Sequence, residues 1–426
     1  MIIKNIRIIN PATKMDEIAD ILIENDIIKN IGKELSIVDE SDTVIDGTGL
    51  VCAPGLVDVH VHFRDPGFTH KEDIETGSRA AAAGGFTTVI LMANTKPTVD
   101  NVDTLGYVLE KCKKEDINVY TVANVTKGMK GVELTDFKKL IGMGAVGVSD
   151  DGIPIMDTEI LKEAFLQAKA LNVPISLHEE NPDLITNNGI NAGRISDVLD
   201  IAGSPREAEI SMISRDIEIA KETGVDVNIQ HISTKEGVEL IRQARKTHKN
   251  IHAEATPHHF TLTEEAVLEH LTLAKMNPPL RLESDRKAII EGLKDGTIEI
   301  IATDHAPHSK EEKAQEITKA PSGIIGLETS LALGITELVN KGQLTLMELI
   351  EKMTVGPARL YHMDDKIGSI EPLRKADLVI FDENESFTID KFKSKSQNSP
   401  FKGHELKGKV KYTICNGRIV YTDGKN

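Results

Sequence analysis

Between residues 56 and 303 the chain repeats one pattern eight times: a short apolar run, a polar break, then a stretch whose apolar positions recur at helical spacing. The apolar runs fall at 56–62, 87–92, 119–122, 145–149, 174–178, 227–231, 251–255 and 298–303. Short Val- and Ile-rich runs of this kind are what strands buried on both faces of a parallel sheet look like. Helix-like segments lie between them at 75–83, 104–114, 135–143, 158–170, 206–223, 235–248 and 284–293. A parallel strand reaches the next one only through a crossover, and a helix is the usual crossover. Eight units are the number that closes a (β/α)8 barrel of the TIM type, while a doubly wound open sheet alternates in the same way.

The two ends of the chain have a different texture. The first 50 residues alternate polar and apolar at 2–9, 18–23 and 44–45, with Asn, Asp and Gly turns between. The last 60 residues repeat that style at 376–381 and 410–415, the latter turning through Asn416-Gly417 into 418–421. Two β-rich ends around a large middle predict an α/β protein with one small β-sandwich built from both ends. The expected division is residues 1–55 and 365–426 for the sandwich and 56–364 for the barrel.

Charge narrows the choice of ligand. The net charge is −17, and the 50 Lys and Arg residues do not gather into a stripe, which disfavours nucleic acid as a partner. An anionic small-molecule substrate then requires local positive charge from an Arg or from metal ions. Three cysteines far apart give neither a disulfide framework nor a thiolate metal site, and fit a reducing cytoplasm. No apolar run reaches the length of a membrane span and the first residues lack a signal-peptide core, so a protein neither secreted nor membrane-spanning is expected. A homo-oligomer stays open.

Chemistry concentrates where the apolar runs end. The first ends in His60-Val61-His62, and a period of two puts both imidazoles on one side of a strand. The fourth ends at Asp150 and Asp151, the fifth at His178, the sixth at His231 and the eighth at Asp304. Each is a metal-ligand type at a strand's C-terminal end, where barrel enzymes place catalytic groups. Singly, Asp151 reads equally well as a turn residue before Gly152, and His231 as a helix cap. Together, four His and two carboxylates suit Zn²⁺ or a similar borderline ion and are too rich in nitrogen for Ca²⁺ or Mg²⁺. With one or two ions per chain, the simplest partition gives one ion His60, His62 and Asp304 and the other His178 and His231, with Asp151 bridging. Ions so held acidify water to near neutral pH, which makes it a nucleophile. His258 and His259 follow the seventh run, but with six ligands already in hand they read as supporting residues.

Three stretches together resemble dihydroorotases of the amidohydrolase superfamily: Asp58-Val59-His60-Val61-His62-Phe63-Arg64-Asp65-Pro66-Gly67, Met92-Ala93-Asn94-Thr95-Lys96-Pro97, and Ala302-Thr303-Asp304-His305-Ala306-Pro307-His308. The resemblance runs from Ile2 to about Val420. It implies that His60, His62, His178, His231 and Asp304 are metal ligands and that Asp304 is also the general acid/base. It implies further that Arg64, Asn94 and His308 contact the substrate carboxylate, Asn277 the substrate ring, and Pro321 and Gly323 the ring through their backbones. Relatives such as hydantoinases and allantoinases bridge their metals with a carbamylated lysine after the fourth strand. This chain has Gly147-Val148-Ser149-Asp150-Asp151-Gly152 there and resembles the subgroup in which the second Asp bridges instead.

The expected reaction is therefore the zinc-dependent, reversible cyclisation of N-carbamoyl-L-aspartate to L-dihydroorotate. Another cyclic amidase of the hydantoinase or allantoinase kind is the nearest alternative, and a barrel homologue without catalysis the more distant one. Arg64 would supply the positive charge that the acidic chain otherwise lacks, unless it pairs with its neighbour Asp65. The polar stretch 309–322 that follows Asp304 is expected to act as a lid.

Overall fold

A computed structural model of the chain describes residues 1–36 and 43–424. From the N-terminus, β1 (Ile2–Asn10), β2 (Met15–Glu24), β3 (Ile27–Gly32), β4 (Val44–Asp46) and β5 (Val51–Pro54) precede eight short strands. These are β6 (Leu56–Val61), β7 (Phe86–Leu91), β8 (Asn118–Thr121), β9 (Val148–Ser149), β10 (Ile175–Leu177), β11 (Val227–Ile229), β12 (Ile251–Ala255) and β13 (Ile300–Ile301). The chain ends with β14 (Leu378–Thr388), β15 (Glu405–Cys415) and β16 (Arg418–Thr422).

The eight middle strands form two parallel ladders, β6-β7-β8 and β9-β10-β11-β12-β13. Backbone hydrogen bonds beyond the strand ends close both gaps. Ser149 N donates to Ala123 O at 2.9 Å and Ala123 N to Gly147 O at 3.0 Å, joining β8 to β9. His62 N donates to His305 O at 2.9 Å, joining β13 to β6. The ring has no open edge, so the eightfold pattern resolves to the (β/α)8 barrel and not to an open sheet.

Helices cover the outside where the apolar spacing predicts them: Ile74–Ala83, Val102–Cys112, Phe137–Met143, Thr158–Ala170, Arg206–Thr223, Lys235–Arg245 and Glu283–Lys294. Their starts are fixed by side chains that accept from the first free N–H groups, among them Asp73, Asn101, Asp157 and Thr234. Phe63, at the mouth end of β6, packs on the first of these helices because Gly77 has no side chain. A Cβ there would lie 2.4 Å from the ring.

The two ends of the chain meet in one eight-stranded sheet, ordered β16-β15-β14-β5-β1-β2-β3 with β4 also on β1. One set of its side chains, including Ile3, Ile6, Ile8, Ile21, Leu378 and Ile380, builds a core of its own. The alternate set, Ile9, Val51, Ala53, Val379 and Phe381, joins the barrel's core. This is the small sandwich, and in hydrogen-bonding terms it is a single sheet. The chain between β14 and β15 leaves the sheet and returns to the barrel mouth, where Asn398 donates to Ala306 O at 2.9 Å and Gly323 O at 3.0 Å. No helix among the described residues is long and apolar enough to cross a membrane.

Candidate active site

All eight barrel strands run the same way, so their C-terminal ends open on one mouth, and the sequence's metal-ligand residues converge there. The carboxylate of Asp151 occupies the centre. Its Oδ1 lies 3.5 Å from His60 Nε2, 3.7 Å from His178 Nδ1 and 3.9 Å from His231 Nε2, and its Oδ2 lies 3.4 Å from His62 Nε2. Asp304 Oδ1 stands 3.0 Å from His62 Nε2 and 3.5 Å from His60 Nε2. The six residues form three overlapping ligand groups: His60, His62 and Asp151; His60, His231 and Asp304; and Asp151, His178 and His231.

These residues fit a metal ion better than they fit one another. His60 Nε2 and Asp151 Oδ1 are fully buried polar atoms with no hydrogen-bond partner, which is costly unless something else meets them. Ligand atoms held about 2.0–2.1 Å from one tetrahedral ion are about 3.4 Å apart, close to the separations seen here. Charge tells the same story. Burial would pull His60 down, but Glu254, Asp304 and Asp151 outweigh it and hold the imidazole well above its usual value. Burial also opposes the charge on His178, yet Asp151 and Glu180 push it up to about 10. Asp151, which burial alone would raise, is held well below the usual carboxylate range by the surrounding imidazoles. His231 goes the other way, held well below its usual value by burial and by His178 and His60, so a cation among these imidazoles would take the place of protons on His60 and His178.

Three of the residues at the mouth sit at left-handed backbone angles: Arg64 at φ 59°, His231 at φ 34° and Asp304 at φ 46°. Residues other than Gly rarely adopt this conformation, and where it occurs it concentrates at functional sites. Asp150, next to the central carboxylate, has a different task. It accepts from Val125 N, Thr126 N, Asn124 Nδ2 and Thr126 Oγ1, and so fixes the β8 loop.

The amidohydrolase family model matches residues 51–420, the whole barrel and, of the closing sheet, β5, β14, β15 and the start of β16. This chain belongs to the amidohydrolase family. Dihydroorotase of Clostridioides difficile strain 630 is 57% identical over 421 residues, covering 99% of each chain. Dihydroorotase of Clostridium acetobutylicum is 52% identical and covers 99% of this chain and 100% of its own. Among solved structures, the L-hydantoinase of Arthrobacter aurescens superposes with a TM-score of 0.88 at 28% identity, over 100% of this chain and 96% of that one.

On the substrate side of this amidohydrolase site, Arg64 is half-buried and donates through Nε to Pro307 O at 3.3 Å. Among the described residues no carboxylate forms an ion pair with it, because Asp65 is taken by Tyr107 Oη at 2.9 Å and Lys111 Nζ at 2.7 Å. Asn277 presents a buried Oδ1 without a hydrogen bond. The other residues expected to touch substrate are engaged within the protein. Asn94 pairs its Oδ1 with His62 Nδ1 at 3.0 Å and donates through Nδ2 to Asp151 Oδ2 at 3.1 Å, so it tethers two residues of the cluster to each other. His308 pairs with Ser322 O at 2.8 Å and with Lys71 Nζ at 3.3 Å. Burial and the charges of Arg64, Lys71 and Lys313 hold it neutral, far below the usual imidazole value.

The stretch after Asp304 contains a short helix, Lys310–Lys313, and is held down by two buried lysines. Lys313 Nζ donates to Pro321 O at 2.9 Å and Gly323 O at 3.1 Å, and Lys275 Nζ to Ile317 O and Ala320 O, each at 2.7 Å. Gly323, at φ 154°, lies so close to His308 that a Cβ would be 2.7 Å from its ring. His259 supports the same wall by pairing with Pro278 O at 3.0 Å, next to Asn277.

Sequence reasoning missed the acceptors behind two imidazoles of the cluster. His60 Nδ1 lies 2.5 Å from Glu254 Oε1, and His178 Nε2 lies 3.1 Å from Glu180 Oε2. A carboxylate on the far nitrogen fixes the ring's tautomer and aim. The available signal was a Glu flanked by two alanines in a short strand between apolar positions, Ile251-His252-Ala253-Glu254-Ala255. Asn398 left no such signal, since its partners lie 75 and 92 residues away in sequence.

Proposed function

We propose that this chain is a dihydroorotase that interconverts N-carbamoyl-L-aspartate and L-dihydroorotate plus water in de novo pyrimidine biosynthesis, using one or two Zn²⁺ ions per chain. The observation that carries the reading is the unpaired guanidinium of Arg64 at the same mouth as a buried cluster of four imidazoles and two carboxylates. A ring that bears its own carboxylate needs that cation; a plain hydantoin or dihydrouracil ring does not. The dihydroorotases that this chain resembles over its full length support the same substrate.

His60, His62 and Asp304 would hold one ion and His178 and His231 the other, with Asp151 between them. When bound, zinc supplies Lewis acidity toward the ring carbonyl and toward water. Everything else falls to the chain. Arg64 would take the substrate carboxylate in two-point fashion through its free N–H groups. Asn277 Oδ1 would accept from a ring N–H. Asp304 would collect a proton on its carboxylate from the attacking water and hand it to the departing ring nitrogen, and ring closure would run the same transfer backwards. Lys313, Lys275 and Asn398 hold the segment with Pro321 and Gly323 over the mouth, where it restricts water. In this reading residues 56–364 carry catalysis, and 1–55 with 365–426 supply the sandwich. The three cysteines are buried and free, which supports a reducing, cytoplasmic setting.

Substrate class separates this reading from a hydantoinase-like amidase. Purified protein assayed side by side should hydrolyse dihydroorotate at least about a hundredfold more efficiently than dihydrouracil or hydantoin, about what two charged hydrogen bonds contribute. Equal or better turnover of the rings without a carboxylate would exclude the dihydroorotase reading.

A further inference from the structure

Glu254 is fully buried, on β12, and both of its oxygens are spoken for. Oε1 faces two groups: His60 Nδ1 at 2.5 Å, and the backbone N–H of His231 at 3.3 Å. Oε2 accepts from Asn228 Nδ2 at 2.9 Å, which keeps the carboxylate from rotating. Its two contacts at Oε1 belong to ligands of different ions in the partition above. The second matters because His231 stands at φ 34°, an angle a histidine keeps only when its surroundings impose it.

We propose that Glu254 is a positioning residue that makes the two metal positions form and fail together, by fixing the imidazole of His60 and the backbone of His231 through one carboxylate oxygen. The inference rests on the two-ion reading of the site. His178 offers the contrast: its own acceptor, Glu180, touches no ligand of the first ion and bonds Ser204 Oγ with its other oxygen, at 3.2 Å. A change at Glu254 therefore reaches both positions, whereas a change at Glu180 reaches one.

The test counts ions, not turnover. Zinc-loaded wild type, Glu254→Gln and Glu180→Gln are equilibrated with a graded chelator, retained zinc per chain is measured by mass spectrometry, and unfolding of the stripped proteins is followed by circular dichroism. Glu254→Gln should release both equivalents together at a free-zinc level about ten- to a hundredfold above that for wild type, the usual scale for losing such an outer contact. Glu180→Gln should shift only one equivalent. Stripped Glu254→Gln should unfold cooperatively near the wild-type temperature. If Glu254→Gln does not fold, Glu254→Asp keeps the charge but withdraws it from His60 and His231, and the same paired release is expected. Loss of one equivalent with the other held at wild-type affinity, or no shift in either, overturns the proposal. Wild type that retains no zinc at all overturns the two-ion reading itself, and the coupling with it.

Discussion

Lys111 Nζ lies 2.7 Å from the carboxylate of Asp65, and that pairing leaves the neighbouring Arg64 free to face the barrel mouth. Tyr107 Oη holds the other oxygen of Asp65, so the two residues that adjoin in sequence answer to different elements. Arg64 therefore does not pair with Asp65, the alternative that the sequence leaves open.

Arg64→Met should keep the fold and the metal content while the substrate carboxylate loses its charged partner. Charged hydrogen bonds contribute roughly 1.5–3 kcal/mol, so KM for dihydroorotate should rise about tenfold to a hundredfold. Dihydrouracil, which lacks the carboxylate, is the control in steady-state kinetics. An equal loss on both rings would mean that Arg64 only supports the loop.

Asp304→Asn retains an oxygen toward His62 and His60 but cannot carry a proton. A fall in kcat of at least about a hundredfold is expected, the usual scale for a positioned acid/base. Zinc counted on the same samples separates loss of the proton carrier from loss of the ion. Near-normal kcat with metal bound would remove Asp304 from its role.

Lys313 yields a pH signature. Burial brings its ammonium down to about 7 from the model-peptide 10.5, with Lys275 nearby adding to the effect. Between those two values the unfolded chain holds the proton and the folded chain does not. Stability then rises with pH across that window, by at most about 1.4 kcal/mol per unit for one proton, and the contribution is flat below it. Thermal unfolding of Lys313→Met at a series of pH values from 6 to 10 should show a shallower rise than wild type. Parallel curves would show that the buried lysine keeps an ordinary value.

Much of the site was legible because parallel barrel strands bring sequence-distant ends to one place. His60, His62, Asp151, His178, His231 and Asp304 each close an apolar run, and that position alone predicts where they meet. What was not legible depends on orientation. Nothing around Asn94 in sequence announces that its amide ties His62 to Asp151. Lys313 is a charged residue whose burial follows only from packing that no local pattern encodes. The terminal strands were visible as strands, but β1 runs parallel to both β4 and β5 within one sheet, a pairing that alternation cannot specify.

Activity with the metal counted tests the central claim most directly. The purified protein should convert dihydroorotate to carbamoyl-aspartate, and the reverse, in proportion to bound zinc. Exhaustive chelation should abolish both directions, and added Zn²⁺ should restore them. Undiminished turnover in protein stripped of metal, or no turnover of either compound by zinc-loaded protein, would contradict it.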